Sequence, residues 1–161
     1  MPNRKINVFI VDDHNIIING ISAMLENVDD VQLIGSANTG KEAISKIQEY
    51  EPDIVLMDIK MPEMNGIETT KNLLETDDAP HVLALTMFDD EEYISSMLSA
   101  GAKGYILKNT GKEELLRAIR RANEGKSYFS SDVTNTVMER FMTQNKDAAQ
   151  ADQELESANG E

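Results

Sequence analysis

Short, unbroken apolar runs alternate along the chain with longer stretches whose apolar residues recur every three or four positions. The first run, INVFIV (6–11), is rich in β-branched residues and predicts a strand. Residues 15–28 follow with Ile17, Ile18, Ile21, Met24, Leu25 and Val28 at helical spacing. VQLIGSA (31–37) then predicts a strand, residues 40–50 a helix with Ala43, Ile44 and Ile47 inward, and DIVLMD (53–58) a third strand. A helix over about 66–76 should bury Ile67, Leu73 and Leu74, and HVLALT (81–86) is the fourth strand. Residues 90–101 form a helix stopping at Gly101, and KGYIL (103–107) is the fifth strand. A fifth helix over 111–125 carries Leu115, Leu116, Ile119 and Ala122 on one face and stops at Gly125.

Strict alternation of strands and helices, with strands apolar on both faces, predicts an α/β fold: a parallel sheet covered on both sides. Right-handed crossovers leave few topologies, and the flavodoxin-like, doubly wound five-stranded order 2-1-3-4-5 is the expected one. This domain covers residues 1–127. Residues 128–143 read as one more short helix leading to a linker, with Val133, Val137, Met138 and Phe141 on one face. Residues 144–161 hold five acids against one lysine and only Leu155 as a large apolar residue, the composition of an acidic disordered tail or linker.

Composition narrows the chemistry. The 161 residues suffice for one domain with a real core, and a net charge of −14 should repel nucleic acid and anionic lipid from these residues. No cysteine is present, which removes disulfide and thiolate chemistry and fits a cytoplasmic protein. His14 and His81 are far apart in sequence and give a zinc site little to work with. No segment has the length to span a membrane, and the N-terminal apolar run is too short for a signal peptide.

Ligands of an open parallel sheet bind at the carboxyl ends of its strands. There the chain places Asp12 and Asp13 after strand 1, Asp58 after strand 3, Thr86 at the end of strand 4 and Lys108 after strand 5. Each alone has an ordinary explanation: a helix cap, a turn acid, a strand hydroxyl, a solvated amine. Together they converge on one edge. Two like charges about 5 Å apart repel by roughly 3 kcal/mol at an effective dielectric of 20, so three carboxylates need counter-charge. Lys108 offsets one, a hard divalent cation offsets more, and oxygen-only ligands suit Mg²⁺, or Mn²⁺. A carboxylate, an ammonium and a hydroxyl around such an ion are equipped for phosphoryl transfer onto an Asp58 oxygen.

VDDH, DIVLMDIKMPEMNG, LALT and GAKGYILK occur in order, from Ile6 to about Gly125. As a set they resemble the receiver domain of two-component response regulators. His14 after the acidic pair, LKNTGKEELLRAIR and EGKSYFSSDV resemble the NarL/FixJ (LuxR-type) subgroup. Asn109 follows the lysine, where many receivers carry proline. The resemblance implies that Asp58 accepts the phosphoryl group of a histidine kinase. Asp13 and Asp58 would bind the metal by side chain, Asp12 through a water and Lys60 by its backbone carbonyl. Thr86 would hydrogen-bond the phosphoryl group, Lys108 would bridge it to the acidic pair, and Tyr105 would be an aromatic switch that moves inward as Thr86 shifts. Lys60 and Phe88 would slow hydrolysis of the acyl phosphate. Self-phosphorylation with Mg²⁺ and slow self-dephosphorylation would be the chain's only reactions; it would not be an enzyme.

The expected output surface is helix 4, strand 5 and helix 5, with Arg117, Arg120 and Arg121 read as a solvated helix face. NarL-type receivers also pair through helices 1 and 5, so a homodimer is open. Transcriptional control would run through a helix-turn-helix domain that this stretch does not contain, the chain being a receiver cut at its linker. A stand-alone receiver acting by protein contacts is the alternative. An Asp-nucleophile phosphatase of the haloacid dehalogenase type would want a second acid two residues after Asp58, where Lys60 stands. A flavin binder would want a Ser-, Thr- and Gly-rich first loop in place of DDHN.

Overall fold

The computed structural model describes residues 4–87 and 91–130, with the side chains of Thr86 and Glu91 outside the description. The elements run β1 Ile6–Val11, α1 Asn15–Leu25, β2 Val31–Ala37, α2 Gly40–Tyr50, β3 Ile54–Met57, α3 Gly66–Leu73, β4 His81–Thr86, α4 Glu91–Ala100, β5 Gly104–Leu107, α5 Lys112–Asn123 and β6 Tyr128–Phe129. All neighbouring strands pair in parallel, in the order 2-1-3-4-5-6. The flavodoxin-like doubly wound sheet is therefore as expected, with one strand more. Tyr128–Phe129 pairs with Gly104 and Tyr105, and the Tyr128 amide donates to the Lys103 carbonyl at 3.2 Å. Two residues offer no periodicity to read, which is why the expectation ended at five strands. The helix expected over 128–143 therefore does not include 128 and 129, which pair as a strand; residues 131–143 and the acidic tail lie outside the described residues.

Strand pleating divides the core in two. Val8, Ile10, Ile54, Leu56, Leu83, Leu85 and Ile106 face α1 and α5, where they meet Ile21, Leu25, Leu115 and Ile119. Their chain neighbours Phe9, Val11, Val55, Met57, Val82, Ala84 and Tyr105 face α2, α3 and α4, against Ala43, Ile47, Leu73, Ile94 and Met97. Each fully buried aliphatic or aromatic side chain contributes about 1.5–3 kcal/mol of apolar transfer, so both helix layers are held tightly. Arg120 of α5 is tied to Asp30 before β2, with Nε and Nη2 donating to its two carboxylate oxygens at 2.8 Å each. One of the three arginines read as a free solvated face is thus engaged within the domain, and that pairing holds the carboxyl of Asp30 below its ordinary range.

Helix ends differ from the periodic reading by a few residues. α1 closes at Leu25 because Glu26 turns extended and Asn27 takes a positive φ of 61°. α3 closes at Leu73, whose carbonyl accepts a bond from the Thr76 hydroxyl at 3.3 Å. Gly101 and Gly125, at φ +110° and +81°, do supply the left-handed turns that end α4 and α5.

The loop from β3 to α3 is the part of the fold that shapes the strand edge. Asn65 caps α3 by accepting the Glu68 amide at 2.9 Å, and the Gly66 amide donates back to the Ile59 carbonyl at 2.8 Å. A Cβ at residue 66 would collide with the Asp58 carbonyl, so only glycine lets α3 start this close to the strand. Gly66→Ala should cost about 2 kcal/mol or more, read by urea denaturation, with the loss carried by displacement of the 58–66 loop. A change under about 0.5 kcal/mol would contradict the close approach.

Candidate functional site

Asp58 follows the last residue of β3, at the point where an apolar strand emerges from the centre of the sheet. β1 runs beside it, and Asp12 and Asp13 follow its last residue, Val11. The Asp58 amide donates to the Val11 carbonyl at 2.9 Å and the Asp12 amide to the Ala37 carbonyl at 3.0 Å. These bonds extend the sheet hydrogen-bond pattern past the strand ends and fix where the acids emerge. On the far side β5 delivers Lys108 to the same edge, and Thr86 of β4 pairs in register with Leu107.

Lys108 Nζ lies 2.7 Å from Asp12 Oδ2 and 3.3 Å from Asp58 Oδ2. Asp12 is 1% exposed and Asp58 3%, and the Lys108 side chain is equally enclosed at 5%. Asp13 is half-buried. One ligand atom each from Asp12, Asp13, His14 and Asp58 falls within 4.8 Å of all the others. Asp12 Oδ2 and Asp13 Oδ1 are buried and accept no well-directed hydrogen bond. The nearest nitrogens, Lys108 Nζ at 2.7 Å from Asp12 Oδ2 and His14 Nδ1 at 3.0 Å from Asp13 Oδ1, are close but lie off the line a hydrogen bond requires.

This geometry has an electrostatic consequence. Loss of solvent raises the carboxyl of Asp58 first, and the negative charge of Asp12 raises it further; Lys108 pulls the other way, leaving it at about 7. One ammonium is too little positive charge for this many acids. Buried carboxylate oxygens with unmet acceptor capacity, packed within reach of one ion, are the donor set a hard divalent cation takes. The residues present therefore fit a metal ion.

Of the residues singled out in the sequence, Asp12, Asp13, Asp58 and Lys108 come together here. Lys60 is exposed, and its Nζ stands 5.1 Å from the centre of the Tyr93 ring at the start of α4, within cation–π reach. Phe88 and the Thr86 side chain are outside the described residues. Tyr105 has no exposed surface: its ring is in the core cluster with Ala84, Ile94, Met97 and Ala102. The residue that sequence reasoning missed is His14. Its distance from His81 argued against a zinc site, while its place directly after two acids puts its ring beside both carboxylates.

A parallel α/β sheet with five helices and an acid–lysine cluster at its carboxyl edge is the arrangement of a receiver-type signalling module. The model of the response regulator receiver domain matches residues 8–120, and the chain belongs to that family. It is 40% identical over 144 residues to the oxygen regulatory protein NreC of Staphylococcus aureus (strain JH9), covering 88% of this chain and 66% of that protein. The chain thus spans just under two thirds of the length of these curated relatives. Among solved structures, a LuxR-family two-component response regulator from Aurantimonas sp. SI85-9A1 matches with 30% identity and a TM-score of 0.80, over 86% of this chain and 99% of that one. The signal receiver domain of NarL from Mycobacterium tuberculosis matches with 27% identity and a TM-score of 0.73, over 76% and 99%. The chain carries a receiver domain of the NarL/LuxR type, a signalling protein.

The raised carboxyl of Asp58 makes metal-free stability depend on pH. In the unfolded chain this group ionises near 3.8, in the folded protein near 7. Between those values the folded state holds a proton that the unfolded state has released, so stability falls as pH rises through the window. Asp58→Asn removes the charge. In the presence of a chelator its advantage over wild type should grow by roughly 3 kcal/mol between pH 4.5 and pH 8.5, measured by urea denaturation. A difference that does not change with pH would contradict the burial argument.

Proposed function

We propose that Asp58 is the phosphoacceptor of a two-component phosphorelay and that the domain uses the modified carboxylate to switch a protein surface. The observation that carries this reading is the buried Asp12–Lys108–Asp58 arrangement, with the ammonium 2.7 and 3.3 Å from the two carboxylates. An ionised Asp58 oxygen attacks the phosphorus of a phosphohistidine, the phosphorus–nitrogen bond breaks, and the imidazole leaves with the electron pair. The product is an acyl phosphate. Asp13 and Asp58 would hold Mg²⁺ by side chain, Asp12 through a bound water and Lys60 by its backbone carbonyl. When bound, the ion supplies charge neutralisation for the phosphoryl oxygens and for the acids. Lys108 neutralises part of the remaining charge and pulls Asp58 toward its ionised form. Thr86 is assigned the hydrogen bond to the phosphoryl group.

Phosphorylation adds about −1.5 to −2 charge at the end of β3. Lys108 and Thr86, at the ends of β5 and β4, are the groups to respond, and α4, β5 and α5 are the adjoining surface. Tyr105, already enclosed between β5 and α4, is assigned as the switch residue, with its inward position as the state to be compared before and after phosphorylation. Lys60 would shield the acyl phosphate from water, and its reach toward Tyr93 ties that loop to α4. The natural donor is a sensor histidine kinase, and the setting is cytoplasmic. Transcriptional control through a DNA-binding domain, with pairing of two copies, is the first reading of the output, in keeping with the response regulator family; a receiver acting by protein contacts is the second. The domain runs past residue 127 to include β6, Tyr128–Phe129.

Incubation with acetyl phosphate and Mg²⁺ should add one phosphoryl group by intact mass to wild type and none to Asp58→Ala. Lys108→Met should retain the metal but lose most phosphoryl transfer, by about 100-fold, as removal of a charge stabiliser does. Phosphorylation of Asp58→Ala to the same extent as wild type would refute the assignment.

A further inference from the structure

We propose that a cleft at the amino ends of β3 and β4, at the opposite end of the sheet from Asp58, docks a basic segment of a partner protein that seats one aliphatic side chain between α2 and α3. Two hollows meet there. The first, of about 330 Å³, opens between α2 and α3 over Ile44, Ile47, Leu73 and the two prolines that lead toward the strands, Pro52 and Pro80. The second, of about 590 Å³, continues across the strand starts past Asp53 and Asp77. Both are lined by Glu51, Pro52, Asp78 and Pro80, so they form one continuous cleft, apolar at one end and acidic at the other.

Local backbone choices shape this cleft. α2 ends at Tyr50, where Glu51 takes a left-handed conformation at φ 50° and Pro52 has no amide to continue the helix. α3 ends at Leu73, and residues 74–80 connect it to β4. Ile47 and Leu73 belong to the core and Ile44 packs against it, so the floor is the open edge of the apolar interior. Around it stand the exposed carboxylates of Glu51, Glu75, Asp77 and Asp78. Among the described residues no ion pair engages any of these four. Arg4 lines the acidic end, but its guanidinium donates to Asp53 Oδ1 at 2.8 Å and is committed there. Burial and the nearby Lys103 push His81 toward its neutral form, so it adds little compensation. A cleft of one sign of charge over apolar walls concentrates its field on whatever enters. A simple cation or polyamine would pair with the acids and leave the apolar floor wet; an apolar small molecule would leave the acids unpaired. A peptide segment with an aliphatic anchor beside Lys or Arg satisfies both ends at once, an apolar anchor in a pocket with a polar rim.

The test titrates the ¹⁵N-labelled 161-residue chain with three end-capped peptides, ALKRKA, ASKRKA and ALEEEA, and follows amide shifts by NMR. ALKRKA should bind with shifts centred on the second half of α2 and on residues 72–80. ASKRKA, which keeps the charges and lacks the aliphatic anchor, should bind about tenfold more weakly or worse. ALEEEA should not bind. Glu51→Gln combined with Asp78→Asn removes two exposed charges; it should weaken ALKRKA by roughly fivefold and flatten the salt dependence of its binding. The same variant should take up phosphoryl from acetyl phosphate as wild type does, which separates this cleft from the Asp58 edge. Equal affinity for ALKRKA and ASKRKA, shifts centred on Asp12 and Asp13 instead of the cleft, unchanged binding by the variant, or no binding of ALKRKA up to millimolar peptide would each overturn the proposal and leave the phosphoacceptor reading intact.

Discussion

Asp12 and Asp58 are both buried, and a single enclosed ammonium lies between them. Burying charge is tolerated only when the partners are well placed, and here one cation serves two acids with a third acid alongside. Burial first, and then the charge of Asp12, raises the carboxyl of Asp58 to about 7 in the metal-free protein, and the edge is left ready for added positive charge. The same imbalance makes the site a switch: a phosphoryl group and its counter-ion alter the local charge at the one point where charge is already poorly compensated. A fully paired cluster would be more stable and would have less to respond with.

The sheet makes that crowding unavoidable. β1 and β3 are neighbours, and their last paired residues, Val11 and Met57, lie directly across from one another. Any acid that follows either one emerges at the same height. Crossed strand order then brings β5 close enough for Lys108 to reach both. The loop after Asp58 is pressed against the strand by Gly66 and the Asn65 cap, so the acid cannot swing out to solvent. Apolar packing of both helix layers on the sheet supplies the free energy that holds these charges in place.

Much of this was legible in the chain. Strands buried on both faces announce themselves as unbroken apolar runs, and in such a run a terminal Asp58 stands out because it is costly there. Parallel topology then converts four separate strand ends into one site. What escaped reading has physical reasons. β6 is two residues long and carries no period. α1 and α3 end earlier than their apolar spacing suggests, because local turns at Asn27 and Thr76 outweigh periodicity. The inward position of Tyr105 depends on packing between β5 and α4, which no local pattern encodes. His14 was passed over because ligand spacing was judged along the chain, whereas its ring meets carboxylates two and one residues earlier.

The central claim is that burial, and then Asp12, raise the carboxyl of metal-free Asp58 far above the ordinary carboxylate range. The direct measurement is the titration of its side-chain carboxyl carbon by ¹³C NMR in protein stripped of divalent cations. The account expects a midpoint near pH 7 that moves sharply downward when Mg²⁺ is added. A midpoint at about 4, the ordinary carboxylate value, with no response to Mg²⁺, would contradict it.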